Sequence, residues 1–290
     1  MVDYLDQHDP DAAARARDRY ACFEQYGHDT HAYAEASLDA LQAPCEQAVV
    51  KQLLELQSHV PAHDDPDAHF HAEQNARLAQ SAEAYARAMY AGRHASWNLR
   101  DTHMADTLDR LAAHLSRRSG RPARLVVWAH NSHLGDARAT DMGDSGELNL
   151  GQLVRQRHGR AAFNLGFTTY AGTVLAARGW DQPGLVRSVR PGLQGSCEEL
   201  FHLAGIPNFL LRMRDLGEGV GGALRERRLQ RAIGVVYAPT TERWSHYFGV
   251  ELPAQFDCVM HFDESHAVRP LDADAGRHEE EVPETFPSGL

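Results

Sequence analysis

Val126-Val127-Trp128-Ala129-His130-Asn131-Ser132-His133-Leu134-Gly135-Asp136 decides how the rest of the chain is read. Residues 124–128 are apolar and rich in β-branched side chains, the pattern of a short strand covered on both faces. The character then changes within one residue. Two histidines, an asparagine, a serine and an aspartate follow with no apolar period. In an open parallel sheet, ligands bind just beyond the carboxyl ends of the strands. A strand that runs into His-Asn-Ser-His therefore directs two imidazoles at the place where such folds do chemistry.

Working outward, strand and helix patterns alternate downstream. Strands are expected at 124–128, 161–167, 185–189, 208–212, 232–237 and 258–262, and helices at 148–158 and 196–204. Ser196-Cys197-Glu198-Glu199 is a capping box and marks the second helix start. A short helix fits 241–248, and the glycines of 217–222 suit a loop. Such alternation argues for an α/β fold with a mainly parallel sheet and flanking helices. Upstream the chain is helical. Asp9-Pro10 is a helix start, with Asp as N-cap and Pro at the first helical position. Helices are expected at 10–25, ending at Gly27, at 30–57 with a break near Pro44, at 67–90 and at 96–117, with a turn at 59–66. The organisation read from this is a helical segment 1–118 within the same domain, an α/β segment 119–271 bearing the site loop, and a disordered acidic tail 272–290. The first strand comes only near residue 124, so the helices either form a bundle of their own or interrupt a sheet whose first strands are missing.

Trp97, Met104, Leu108, Leu111 and Leu115 share one stripe of the 96–117 helix at spacings of three and four. Asp101 falls on that stripe. A carboxylate on a buried face must be paired or hydrogen-bonded, because an isolated buried charge is very costly. Arg100 is adjacent and does not face it on a helix, so its partner comes from elsewhere, either as a structural ion pair or as part of a site.

The chain has 290 residues and a net charge of −11, which argues against nucleic acid and anionic membranes as partners. No apolar run reaches transmembrane length. The N-terminal residues lack the basic and apolar regions of a signal peptide. The four cysteines, Cys22, Cys45, Cys197 and Cys258, are scattered with no Cys-x-x-Cys, and read as free thiols of a cytoplasmic protein. Histidine is abundant, at 18. His59, His63, His69 and His71 match no metal-site spacing and read as a solvated turn and helix start.

No Gly-x-Ser-x-Gly elbow, phosphate-binding loop or dinucleotide fingerprint occurs. Cys197, in the first turn of a helix, is a weak candidate nucleophile. His130 and His133 are the stronger candidates, since neutral imidazole serves as general base, hydrogen-bond donor or metal ligand. Two histidines do not complete a ligand set, though Asp136, Asp141 or Asp144 would add oxygen.

The same stretch, followed by Met142-Gly143 and Leu150-Gly151-Gln152-Leu153, resembles the erythromycin esterase family. Trp97-Asn98-Leu99-Arg100-Asp101-Thr102-His103-Met104 fits that family too, as do Gly195-Ser196-Cys197-Glu198-Glu199-Leu200-Phe201-His202 and Phe256-Asp257. The resemblance implies a hydrolase that needs no metal or other cofactor and opens a macrolide lactone or another carboxylic ester with water activated by a histidine. It implies that His130 and His133 are the family's second histidine pair, assisting catalysis, with Asn98, Arg100, Asp101, Asn131 and Asp136 supporting the site. The partner is then a small-molecule ester. The family's activating histidine and its glutamate lie upstream of anything matched here, so the resemblance covers what looks like the C-terminal two-thirds of a member. An uncovered sheet edge in such a chain would favour a homo-oligomer. Two other readings stand beside this one: a metal-dependent hydrolase using His130 and His133, and a binding domain that keeps a pocket without a base.

Overall fold

The computed structural model describes residues 1–27, 29–38, 45–58, 65–90, 92, 94–180, 182–214 and 216–269. Pro44, His59, His63, most of the expected 59–66 turn and the 272–290 tail lie outside the described residues. The chain divides into two compact units, Met1–Val126 and Val127–Leu290.

The first unit is helical: α1 (Val2–His8), α2 (Pro10–Tyr20), a 3-10 turn (Ala21–Tyr26), α3 (Thr30–Leu38), α4 (Glu46–Ser58), α5 (Pro66–Ala88) and α6 (Ala95–Ser119). Asp9-Pro10 starts a helix as expected, and Asp65-Pro66, read as part of a turn, starts another. The Asp9 carboxylate accepts from the Ala12 amide at 2.9 Å, and that of Asp65 from the Asp67 amide at 3.0 Å. The interior is small: Leu5, Ala12, Ala13, Ala16, Leu53, Leu56, Ala72 and Ala76 form one buried cluster. Alanines favour the helical backbone and let axes approach closely. On α6, Asp101 is fully buried along with Ala105 and His114, whereas the apolar residues of its stripe are only half-buried. The buried carboxylate is not left without a polar interaction. His114 stacks on Phe70 with ring centroids 4.1 Å apart and meets Asp67 at 2.7 Å, which ties α6 to α5.

The four cysteines are not all free. Cys22 and Cys45 form a disulfide, while Cys197 and Cys258 are free and buried. Scattered spacing hid the pair. The 3-10 turn folds Cys22 back onto the start of α4, in a cluster with Tyr33, Ala34, Ala86, Phe23, Tyr26 and Met89.

The second unit continues with α7 (Asn131–Leu134), α8 (Asp141–Asp144), α9 (Leu150–His158), β1 (Leu165–Ala176), β2 (Leu185–Val189), α10 (Cys197–Leu203), β3 (Asn208–Arg212), α11 (Glu218–Arg225), β4 (Arg228–Arg231), α12 (Glu242–Ser245), β5 (Tyr247–Val250), α13 (Leu252–Gln255) and β6 (Cys258–Ser265). The fold is α/β. Its main sheet has the order β2-β1-β6-β3, and β4 pairs with β5 in a small second sheet. The central pair, β1 and β6, runs parallel, from Leu165 opposite Cys258 to Gly172 opposite Ser265. β2 and β3 flank it antiparallel. β1 is long because it serves two partners, handing over from β6 to β2 at Gly172. Gly172 has φ +115°, and a Cβ there would lie 2.2 Å from the Ser265 carbonyl oxygen, so no other residue fits this hinge without strain. One sheet face carries Val259, Phe209 and Leu211 into a core with Cys197, Phe201, Leu224, Leu252 and Phe256. The other leaves Phe167, Leu210 and Phe262 exposed.

Five expectations change. The strand expected at 161–167 starts at Leu165 and runs to Ala176, and 241–248 holds the short α12 and the start of β5 rather than one helix. No strand forms at 124–128: residues 122–130 have no regular secondary structure, and Val126 and Trp128 are 95% and 85% exposed. The pattern suits a strand between neighbours, but where a neighbour would pair with Phe167 the side chain of Asn131 pairs instead. The strand expected at 232–237 lies earlier, at β4, and 232–237 makes only an isolated bridge at Val236. The glycine-rich 217–222 is the start of α11, where packing Leu224 against the core outweighs poor helix propensity.

Disulfide mapping under non-reducing conditions should recover a peptide joining Cys22 to Cys45. Reduction should cost the fold about 3 kcal/mol, the scale for a loop of that length, and lower the melting temperature. Four free thiols in the unreduced native protein, rather than the two of Cys197 and Cys258, would be the contrary result. Asp101→Ala should destabilise by about 3–5 kcal/mol, because it strands a polar partner in the interior. An unchanged urea midpoint would place Asp101 within reach of water.

Candidate functional site

The histidine loop is α7 with His130 at its N-cap, and it meets the segment after β4 at Ile233. His130 is extended, with φ −64° and ψ 151°, and caps α7. Its Nδ1 accepts from the Ser132 amide at 3.2 Å and lies 2.9 Å from the Ser132 hydroxyl; its Nε2 lies 3.0 Å from the Ile233 carbonyl oxygen. These partners fix the tautomer. A carbonyl only accepts, so Nε2 carries the hydrogen; an amide only donates, so Nδ1 carries the lone pair. The ring keeps solvent access, yet enough protein surrounds it that lost hydration pushes its pKa below the ordinary 6.5; the Ile233 carbonyl opposes this and His133 adds to it. His130 is therefore neutral at pH 7.

His133 is buried, and its amide donates to the His130 carbonyl at 2.9 Å. Asn131 behaves as a surrogate strand. Its amide nitrogen donates to the Phe167 carbonyl at 2.6 Å, and its oxygen accepts from the Phe167 amide at 3.1 Å. Asp136 is buried and engaged by arginines: Arg138 at 2.9 and 2.7 Å, and Arg155 at 3.4 Å. Burial alone would raise its pKa, but Arg138, with help from Arg155, holds it below the usual carboxylate value. Asp136 thus braces the loop rather than facing outward from it.

The loop gathers His130, Asn131, His133 and Asp136. Asn98, Arg100 and Asp101 lie together on α6, in the first unit, where the charge of Arg100 opposes the rise that burial gives the Tyr85 phenol of α5. Asp141 and Asp144 pair with Arg227, and Asp141 also accepts from the Gly249 amide. Among the described residues, no three His, Cys, Asp or Glu side chains converge as a metal site.

Several supporting residues escape a reading of the sequence. Asn149 caps α9 and also donates to the Ser132 and Gly135 carbonyls, at 2.7 and 2.6 Å, so it fixes the far side of the loop. Asn before an apolar helix is a cap signal, but its second role has none. Gly151 follows because α9 presses against this turn: a Cβ there would lie 2.1 Å from the Leu134 carbonyl oxygen. Arg155 bridges Asp136 to Asp257 at 3.0 Å, and Arg214 reaches Asp257 at 2.6 Å. Burial would raise the pKa of Asp257, but Arg214, the Asn164 amide and Arg155 outweigh it and hold it low. Cys197 does not act as an activated thiol, because burial and the neighbouring Glu198 raise its pKa far above the thiol range. The capping box is half formed: Ser196 accepts from the Glu199 amide, but Glu199 turns to the Gly195 amide.

Three solved structures share the fold. A succinoglycan biosynthesis protein superposes with a TM-score of 0.69 at 18% identity, covering 92% of this chain and 60% of its own. A protein from Bacillus cereus gives 0.71 at 13% identity, with 91% and 62% covered. A mutant of the erythromycin esterase EreC, in its open conformation, gives 0.59 at 17% identity, with 91% and 64% covered. The chain thus spans less than two-thirds of the length of each. The erythromycin esterase family model matches residues 1–265, and by that match over nearly the whole chain this protein belongs to the erythromycin esterase family.

Proposed function

We propose that the chain acts as an esterase-like hydrolase, in which histidine-assisted attack of water opens a carboxylic ester or macrolide lactone. Family membership supports hydrolysis of this kind. The observation that carries the histidine role is the fixed, neutral state of His130. Its Nε2–H is held by the Ile233 carbonyl, leaving the Nδ1 lone pair as the basic atom. A base must arrive deprotonated, and this ring does, with Nδ1 turned to the Ser132 amide and hydroxyl. His133 lies within electrostatic reach of it, and Asn131 holds the loop to β1. Asp136 supports the loop through Arg138 and Arg155. In this reading Asn98, Arg100 and Asp101 are supporting residues, as the family resemblance implies.

An apolar substrate suits the surroundings. Trp128, Phe167 and Phe262 form an exposed aromatic row beside the loop, with centroids 5.6 and 6.4 Å apart along it. Such a row would take the hydrocarbon face of a macrolide or another hydrophobic ester.

His130→Ala in the natural full-length polypeptide should lower kcat/KM for aryl esters or macrolide lactones by about a hundredfold or more, with the far-ultraviolet spectrum kept. The pH profile carries a second expectation. The folded pKa of His130 is below 6.5, so the neutral base persists through pH 6.5 and activity falls only at lower pH. Stability follows the same sign: the unfolded histidine binds its proton first, so stability declines as pH drops below 6.5. An acid limb above pH 6.5, or near-normal turnover by the alanine variant, would remove His130 from the mechanism.

A further inference from the structure

Among the described residues, β2 joins β1 only from Gly172 onward, so the first half of β1 has β6 on one side and no strand on the other. Two side chains cover that open edge. Asn131 takes both backbone groups of Phe167, at 2.6 and 3.1 Å, and Arg231 donates to the Thr169 carbonyl at 2.6 Å. Thr169 is two residues along from Phe167, so its carbonyl lies on the same side of the strand. Each of these side chains belongs to one of the two segments that hold the His130 ring. Asn131 follows His130 directly. Arg231 comes two residues before Ile233, whose carbonyl faces Nε2 at 3.0 Å.

We propose that Arg231 is a positioning residue for His130: by fixing the stretch from Arg231 to Ile233 against the strand that also anchors Asn131, it sets which ring nitrogen carries the hydrogen. The inference rests on the esterase reading above, in which His130 is the base, and names the side chain that keeps that base in its working tautomer.

The contacts close a ring. It runs from His130 through Asn131 to Phe167, along β1 to Thr169, through the guanidinium to Arg231, and on to the Ile233 carbonyl and back to Nε2. Every step is a covalent link or a hydrogen bond of 3.1 Å or less. The guanidinium is itself held. Glu242 meets Nη1 at 3.0 Å, and the Arg190 and Tyr170 carbonyls accept at 2.7 Å. Glu198 fixes the backbone end by accepting from the Arg231 amide at 3.0 Å, and the Ala232 amide donates to the His246 carbonyl at 2.8 Å. Little slack is left between the fork and Ile233. Which nitrogen of a neutral imidazole is protonated follows from the hydrogen bonds the ring makes. A displacement of Ile233 by about 1 Å would take its carbonyl out of hydrogen-bonding range and leave the choice to solvent. A lysine in place of Arg231 would keep the charge beside Glu242, but it lacks the planar fork that reaches Glu242 and the strand carbonyls together.

The test reads the His130 ring directly, by nitrogen NMR of isotope-labelled histidine in the natural full-length polypeptide at neutral pH, alongside kcat and KM for an aryl ester. Wild type should show a protonated Nε2 and an unprotonated Nδ1. Arg231→Lys should pull both signals toward the average of the two tautomers and lower kcat by about ten- to a hundredfold, with KM within about twofold. Arg231→Gln combined with Glu242→Gln strands no buried charge, so it should fold, and it should give the same signature. Leu224→Ala, which loosens the core of the same unit, should lower the melting temperature and leave the His130 signals and kcat in place. A folded Arg231 variant with wild-type His130 signals and kcat within about twofold would overturn the inference and leave the esterase reading intact. So would the same loss of tautomer in Leu224→Ala, or failure of both Arg231 variants to fold, since Arg231 would then support the unit as a whole. A tautomer change on losing Arg231, in a protein whose wild type hydrolyses no ester, would uphold the positioning and remove the esterase reading. A wild type whose Nδ1 carries the hydrogen would end both.

Discussion

The second unit is organised around one buried guanidinium. The Arg231 side chain is only 2% exposed and meets the equally buried Glu242 at 3.0 Å. It also donates to the carbonyls of Arg190, Thr169 and Tyr170 at 2.6–2.7 Å. These groups come from β1, from the segment after β2 and from α12, so one side chain ties three parts of the unit to β4. Breaking such a pair strands a charge, whereas the intact pair gains little over apolar packing. What it provides here is position: the planar fork fits several carbonyls at once, as an ammonium would not. Glu198 closes the arrangement by accepting from the Arg231 amide, and its burial pushes its own pKa up. Two residues along from Arg231 is Ile233, whose carbonyl sets the tautomer of His130. The tautomer of His130 therefore rests on a segment that this charge cluster positions.

A second chain of charge braces the loop from below. Asp136, Arg155, Asp257 and Arg214 alternate in sign, each touching the next. Both aspartates titrate lower in the fold than in the unfolded chain, so they contribute stability above the ordinary carboxylate pKa of 3.8 that is lost as pH falls through their folded values. The family motifs at 151 and 257 thus read as packing and bracing rather than as catalysis.

How much of this was legible depends on range. Local chemistry was readable: the Asp9-Pro10 helix start, the Ser196 cap, and strands 185–189 and 208–212 fall where their patterns place them. The burial and pairing of Asp101 were readable because a carboxylate on an apolar stripe must find a polar partner. What stayed hidden depends on partners remote in sequence. Trp128 belongs to a strand-like run that finds no ladder, because Asn131 occupies Phe167 from the side. Cys22 and Cys45 are 23 residues apart with no motif between them. Ser132, Asn149 and Arg231 have ordinary local contexts, and only the fold shows what they touch.

The parallel pairing of β1 with β6 has a kinetic meaning. Thr168 and its contact His261 are 93 positions apart, so the middle of the sheet closes only after that whole intervening stretch has left the ribosome. Parallel pairs of such separation form slowly, because loop-closure entropy is lost before any contact repays it. The helices of the first unit, held mostly by nearby residues, can form during synthesis. Until β6 arrives, the first half of β1 has no strand partner, because β2 pairs only from Gly172 onward. In that interval Asn131, 36 positions upstream and already synthesised, can shield Phe167 from a neighbouring nascent chain.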